Sequence, residues 1–169
     1  RDAWEQNIPN VERASEELNT HFLYALAHVI QYDSGKHRLW YACKLLVSFG
    51  HMFAIATLMT LISQVSGTPY VPGGDSPAGT YCSGLVSWVS NAATGRPVYG
   101  SRFHTGNEEA ALLARGFHYG TAPNSLVIGW NGGHTAATLP DGTPVSSGEG
   151  GGVRVGGGGA YQPQFTHHM

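Results

Sequence analysis

A chain of 169 residues and 18.0 kDa with 41% hydrophobic side chains has material for one domain and a core of its own, and is too short for two full catalytic domains. Charged residues make up 12%, about half the usual share, which excludes a disordered polyelectrolyte. The formal charge is −2 and the 9 Lys and Arg are scattered, so the electrostatic footprint of a nucleic-acid binder is absent.

The chain opens on Arg1 rather than Met and so reads as a fragment or a processed form. Over residues 1–35, Asn10 can cap a helix and Phe22, Leu26, Val29 and Ile30 recur at helical spacing, until Asp33-Ser34-Gly35 stops the pattern. A second helical stretch starts near Lys36 and runs into Leu45–Val65, 21 residues without Asp, Glu, Lys or Arg. That length reaches the roughly 20 residues of a membrane span, and Lys36, Arg38 and Lys44 would hold its N-terminal side in the cytoplasm. Ser48, Gly50, His51, Thr57, Thr60 and Ser63 interrupt it, however, and a helix enclosed on all sides is equally apolar. A buried or partner-packed helix and membrane contact through residues 45–65 both stay open.

At Ser66 the composition turns to Gly, Pro, Ser and Thr, and Gly67-Thr68-Pro69-Tyr70-Val71-Pro72-Gly73-Gly74 is a non-helical loop. Cys82–Asn91 reads as a helix with Leu85, Val86 and Val89 on one face, and 106–115 as another, ended by Gly116. Strands are expected at Leu126-Val127-Ile128, at His134–Leu139 and, after a Pro140-Asp141-Gly142 turn, at Thr143–Ser147. With 9 of the 24 glycines after Pro140, the remainder is expected to be loop.

Two cysteines are too few for a disulfide framework or a cysteine-based zinc site. Cys82 follows a loop and opens a helix, where unpaired N–H groups and the helix dipole favour a thiolate, so it is the candidate nucleophile. An inert core thiol, or a bridge to Cys43, are the other uses of that position.

The segments Gly67–Gly74, Thr80-Tyr81-Cys82-Ser83-Gly84-Leu85-Val86-Ser87-Trp88 and Gly133-His134 resemble, in order and spacing, the NlpC/P60 family of cell-wall cysteine peptidases over roughly residues 58–148. Gly129–Ala136, Thr138–Gly142 and the glycine-rich end up to Phe165 are similar to the branch found in actinobacterial phage tail tape-measure and related mycobacterial proteins. Ala122-Pro123-Asn124-Ser125-Leu126 replaces the family's PGDL segment.

The resemblance implies an α+β, papain-like fold in which a nucleophile helix packs on a small antiparallel sheet, preceded by N-terminal helices. Residues 1–50 would be a helical segment and 51–169 the catalytic domain. It implies a cysteine endopeptidase or amidase acting on peptidoglycan stem peptides without a cofactor, in a secreted, cell-envelope or virion-tail protein. Cys82 would be nucleophile and His134 base, with Tyr70 and Ser83 lining the substrate site. Its rival is a structural module that has kept the fold and lost efficient catalysis.

Two departures from the family pattern bear on this. Tyr81 stands where the family usually has an Asp that helps to bind a free amino end, a role Asp75 would have to take over. The residue that orients the imidazole falls on Ser146, a diagonal neighbour of His134 if the turn sets His134 opposite Gly148; a one-residue slip would put Glu149 there instead. Metal binding is not expected: there is no HExxH, and His167-His168 reads as a mobile chain end. His104 and His118 read as surface residues, and Trp88 and Trp130 as core or cleft walls.

Overall fold

The structure is a computed structural model that describes residues 38–169. The helix expected over residues 1–35, with its histidines, lies outside them, as does the side chain of Cys43 on the first described helix. The chain divides after Phe53 into two units, Arg1–Phe53 and Ala54–Met169.

Helix α1 spans Arg38–Val65. From Ala54 onward it belongs to the second unit, where Leu58, Leu61, Ile62 and Val65, at i, i+3, i+4 and i+7, enter the core. Val47, Met52 and Met59 are exposed. Among the described residues no helix is long and apolar enough to cross a membrane, because the Ser, Thr, Gly and His of the 45–65 run dilute its hydropathy.

After α1 the chain makes a short hairpin, β1 (Asp75–Ser76) and β2 (Gly79–Thr80), then α2 (Cys82–Ala93) and α3 (Glu108–Leu113). Five strands follow: β3 (Val127–Trp130), β4 (Thr135–Thr138), β5 (Pro144–Ser147), β6 (Val153–Val155) and β7 (His167–His168), with a 3-10 turn at Glu149–Gly151. They form one antiparallel sheet in the order β6-β5-β4-β3-β7. Helix and small antiparallel sheet together make the α+β arrangement expected.

Helix α2 packs on β4 and β5. It is enclosed on every side, not on one face: Cys82 through Asn91 are all buried. Its serines are accommodated because their hydroxyls return to the helix, Ser87 donating to the Ser83 carbonyl at 2.6 Å and Ser90 to that of Ser87 at 3.0 Å. Gly84 lets the first turn close on the hairpin, since a Cβ there would collide with Thr80 Oγ1.

The β4–β5 turn is the expected one. Gly142 lies at φ 88°, and the Asp141 carboxylate accepts from the N–H and hydroxyl of Thr143 at 2.9 and 2.8 Å. Ala137 faces Val145 and Thr138 faces Pro144, a register that carries His134 opposite Gly148. The C-terminal segment departs from expectation. His167 and His168 form an edge strand on Trp130 and Gly129, and the His167 ring stacks on Trp130 with centroids 5.3 Å apart. The 106–115 helix is shorter than expected, Glu108–Leu113, ending before Gly116 at φ 87°.

Candidate active site

The packing of α2 on β4 brings together two side chains 52 positions apart in sequence, Cys82 at the first residue of α2 and His134 just before β4. Cys82 is a free thiol with 6% of its surface exposed. Burial pushes its pKa up, but a hydrogen bond and the charge of His134, together with the hydroxyl and backbone of Ser83, bring it below the ordinary thiol value. His134 responds in the opposite sense. Its bond to Cys82 raises its pKa, burial lowers it, and the charges of Cys82 and Glu149 raise it further. The pair therefore leans toward thiolate and imidazolium.

The imidazole is held mainly through its backbone. Asn131 Oδ1 accepts from the N–H groups of Gly133 and His134 at 2.8 and 2.9 Å, and Asn131 Nδ2 donates to the Gln164 carbonyl at 3.0 Å. Phe165, next in the chain, stacks on the His134 ring with centroids 5.9 Å apart and planes at 26°. Gly148, at φ 122°, completes the wall: a Cβ there would stand 3.2 Å from the Tyr70 ring and 3.9 Å from His134 Cε1.

Tyr70 is brought in by the loop after α1, which is stitched on both sides. The Tyr70 N–H donates to Gly151 O at 2.9 Å, the Val153 N–H to Thr68 O at 2.8 Å and the Thr80 N–H to Pro69 O at 3.0 Å. Tyr70 is 41% exposed, and its pKa is raised by burial and by the charges of Cys82 and Tyr81. It thus stands at the surface beside the thiol. Ser83 does not. It is 1% exposed, with its hydroxyl 3.8 Å from the Cys82 sulfur, so it serves the thiol and has no face toward a substrate.

The expectation for Ser146 is corrected as well. The register that makes it a diagonal neighbour of His134 is present, but its buried hydroxyl has no hydrogen-bond partner among the described residues. A diagonal separation of about 7–8 Å is beyond a serine side chain. Glu149 acts on the imidazole through its charge without the register slip, because the 3-10 turn after β5 carries it there. Its carboxylate accepts from the Gly158 N–H at 2.8 Å and Gln162 Nε2 at 3.0 Å, which keep its pKa low.

Just before Cys82, the Tyr81 hydroxyl donates to Phe103 O at 3.0 Å and accepts from Arg102 at 2.7 Å, and the Arg102 guanidinium lies 5.7 Å from the Tyr81 ring. Asp75 is committed elsewhere: its two oxygens accept from Trp88 Nε1 at 2.7 Å and the Gly100 N–H at 2.9 Å. The place of the family's acid thus holds a phenol and a guanidinium.

One residue escaped the sequence reading. Glu108 is fully buried, its Oε1 is 2.6 Å from Thr135 Oγ1, and its pKa is pushed up to about 8, chiefly by burial and also by the charge of Cys82, against the lowering effect of the Thr135 bond. The signal was its spacing: Glu108 lies four residues before the buried Leu112, on the same helix face. His104 and His118 are exposed, as expected. Among the described residues no group of three or more His, Cys, Asp or Glu is placed to hold a metal ion.

No family model matches the chain, and no curated protein matches it. Among solved structures it is similar to the crystal structure of the NlpC/p60 domain of the peptidoglycan hydrolase SagA, with 25% identity over 68% of this chain and 97% of that chain and a TM-score of 0.48.

Proposed function

We propose that the chain is a thiol hydrolase of the NlpC/P60 kind that cleaves peptide bonds in peptidoglycan stem peptides, in a secreted, envelope or virion-tail setting. The observation that carries this reading is the Cys82–His134 pair, each group shifting the other toward the charged form at the start of a buried helix. The thiolate attacks the amide carbonyl, and N–H groups of the first turn of α2, Cys82 among them, stabilise the oxyanion. His134 gives its proton to the leaving amine. It then takes one from the water that attacks the thioester, returning the free thiol. Tyr70 borders the substrate. The reading is tested by incubating the purified chain with isolated peptidoglycan. Release of peptide fragments that Cys82→Ala abolishes supports it.

One observation favours the second reading, a weakly catalytic or inactive structural module of a phage tail or envelope protein. The Ser146 hydroxyl makes no bond to the imidazole it was expected to orient. No fragment release by the parent chain would decide for that reading.

A further inference from the structure

Glu108 is enclosed beside the thiol, yet the reaction above gives it no task. Its Oε1 lies 2.6 Å from Thr135 Oγ1, and the same hydroxyl lies 3.1 Å from the Gly129 carbonyl oxygen. A hydroxyl has one proton to donate. Shared between two acceptors, that proton leaves one of the contacts weak; given wholly to Gly129, it leaves Thr135 to accept from Glu108, and an ionised carboxylate has no proton to give. The other oxygen, Oε2, is buried without a hydrogen-bond partner among the described residues, a place far costlier for a carboxylate than for the carbonyl oxygen of a neutral acid.

We infer that Glu108 works as a neutral carboxylic acid: a positioning residue whose O–H fixes Thr135, the residue next to His134, while keeping a negative charge away from the Cys82 thiolate. The groups that face it are Cys82 from α2 and Thr135 from β4. On its own helix Glu109 is turned to the Tyr119 hydroxyl, and Arg115 beyond it is engaged by Asn91, Ser101 and the Ala111 carbonyl. Burial holds the Glu108 pKa up even where Thr135 donates to the carboxylate, and this has a consequence for stability. The unfolded chain releases this proton in the ordinary carboxylate range and the folded chain holds it up to about 8, so the folded state loses stability as pH rises across that interval.

The inference rests on the thiol site proposed above, and its test needs no peptide substrate. In the full chain, Glu108→Gln and Glu108→Ala are compared with the parent by the rate of iodoacetamide labelling at Cys82, read by mass spectrometry of its peptide, and by thermal unfolding at about pH 5 and about pH 8. The Gln amide donates to Thr135 as the acid does, so Glu108→Gln should label within about twofold of the parent. The parent's melting temperature should fall between the two pH values by more than that of Glu108→Gln. Glu108→Ala should label several-fold more slowly; if it fails to fold, Glu108→Gln decides alone. Slow labelling of Glu108→Gln, or the same pH dependence of melting in both proteins, would overturn the inference. A parent that labels and melts as expected but releases nothing from peptidoglycan would sink the hydrolase reading and leave this one standing.

Discussion

Phe165 stacks on His134 with ring centroids 5.9 Å apart and an angle of 26° between the planes. A flat hydrophobic face against the ring and a hydrogen bond to the Cys82 thiol restrict imidazole rotation, the function a polar third residue serves in Cys-His sites. The segment that carries Phe165 is anchored at Asn131, whose Nδ2 donates to the Gln164 carbonyl.

Phe165→Leu keeps most of the buried volume and removes the flat face. Its stability should change by less than about 1.5 kcal/mol. Turnover of peptidoglycan should fall by about tenfold through kcat, because a loosened imidazole spends less time aligned with the thiol. Unchanged kcat would show that the stack is packing alone.

His134→Ala should move the pH profile of iodoacetamide labelling at Cys82 upward. In the parent, burial raises the thiol pKa while His134 and Ser83 lower it, with a net decrease; without the imidazole, burial dominates. Below both pKa values each unit of upward shift removes about nine-tenths of the thiolate, so labelling near pH 6 should slow by tenfold or more and recover as pH rises. An unshifted profile would mean that the ring does not act on the sulfur.

Ser146→Ala should leave hydrolysis unchanged within about twofold and stability unchanged or up to about 1 kcal/mol higher, since a buried hydroxyl without a partner costs desolvation and returns no bond. Kinetics and thermal unfolding of the variant check both parts. A large loss of kcat would restore Ser146 as an orienting group through a conformation the resting protein does not hold.

The helix opened by Cys82, the strand that follows His134 and the turn at Asp141 were legible because each is specified locally: a helix start after a loop, a short stretch that alternates weakly, a Pro-Asp-Gly turn with Gly142 at positive φ. The β4–β5 register is one of the two that turn left open, the one without the slip. Glu149 was legible only as an alternative that needed a register slip, and its charge acts on the imidazole from a 3-10 turn instead; Phe165 was not legible at all, because it reaches the ring from a glycine-rich segment whose path depends on contacts far away in sequence. Gly129 shows why: a Cβ there would collide with the backbone of Ala160, so the return of the chain over β3 depends on a missing side chain 31 positions earlier. Ser83 was misplaced for a related reason, since enclosure of α2 on all sides is a tertiary fact that its apolar stripe does not reveal.

Asp75 offers the last prediction. Its carboxylate joins α2 to the segment after it, accepting from the indole N–H of the fully buried Trp88 and from the Gly100 N–H. Asp75→Ala leaves both donors without that partner, and an unsatisfied buried donor costs about 1–3 kcal/mol. The melting temperature should therefore fall by roughly 3–10 °C. Because both oxygens are already occupied, the carboxylate is not available to a substrate amino group, and the Tyr81–Arg102 pair beside Cys82 offers a cation where an ammonium would need an anion. The residual activity of Asp75→Ala should then show the same ratio of kcat/KM for stem peptides with free and with acetylated amino ends as the parent, and that ratio should be close to one in both. A strong preference for the free amino end that disappears in Asp75→Ala would show that Asp75 leaves Trp88 to bind substrate.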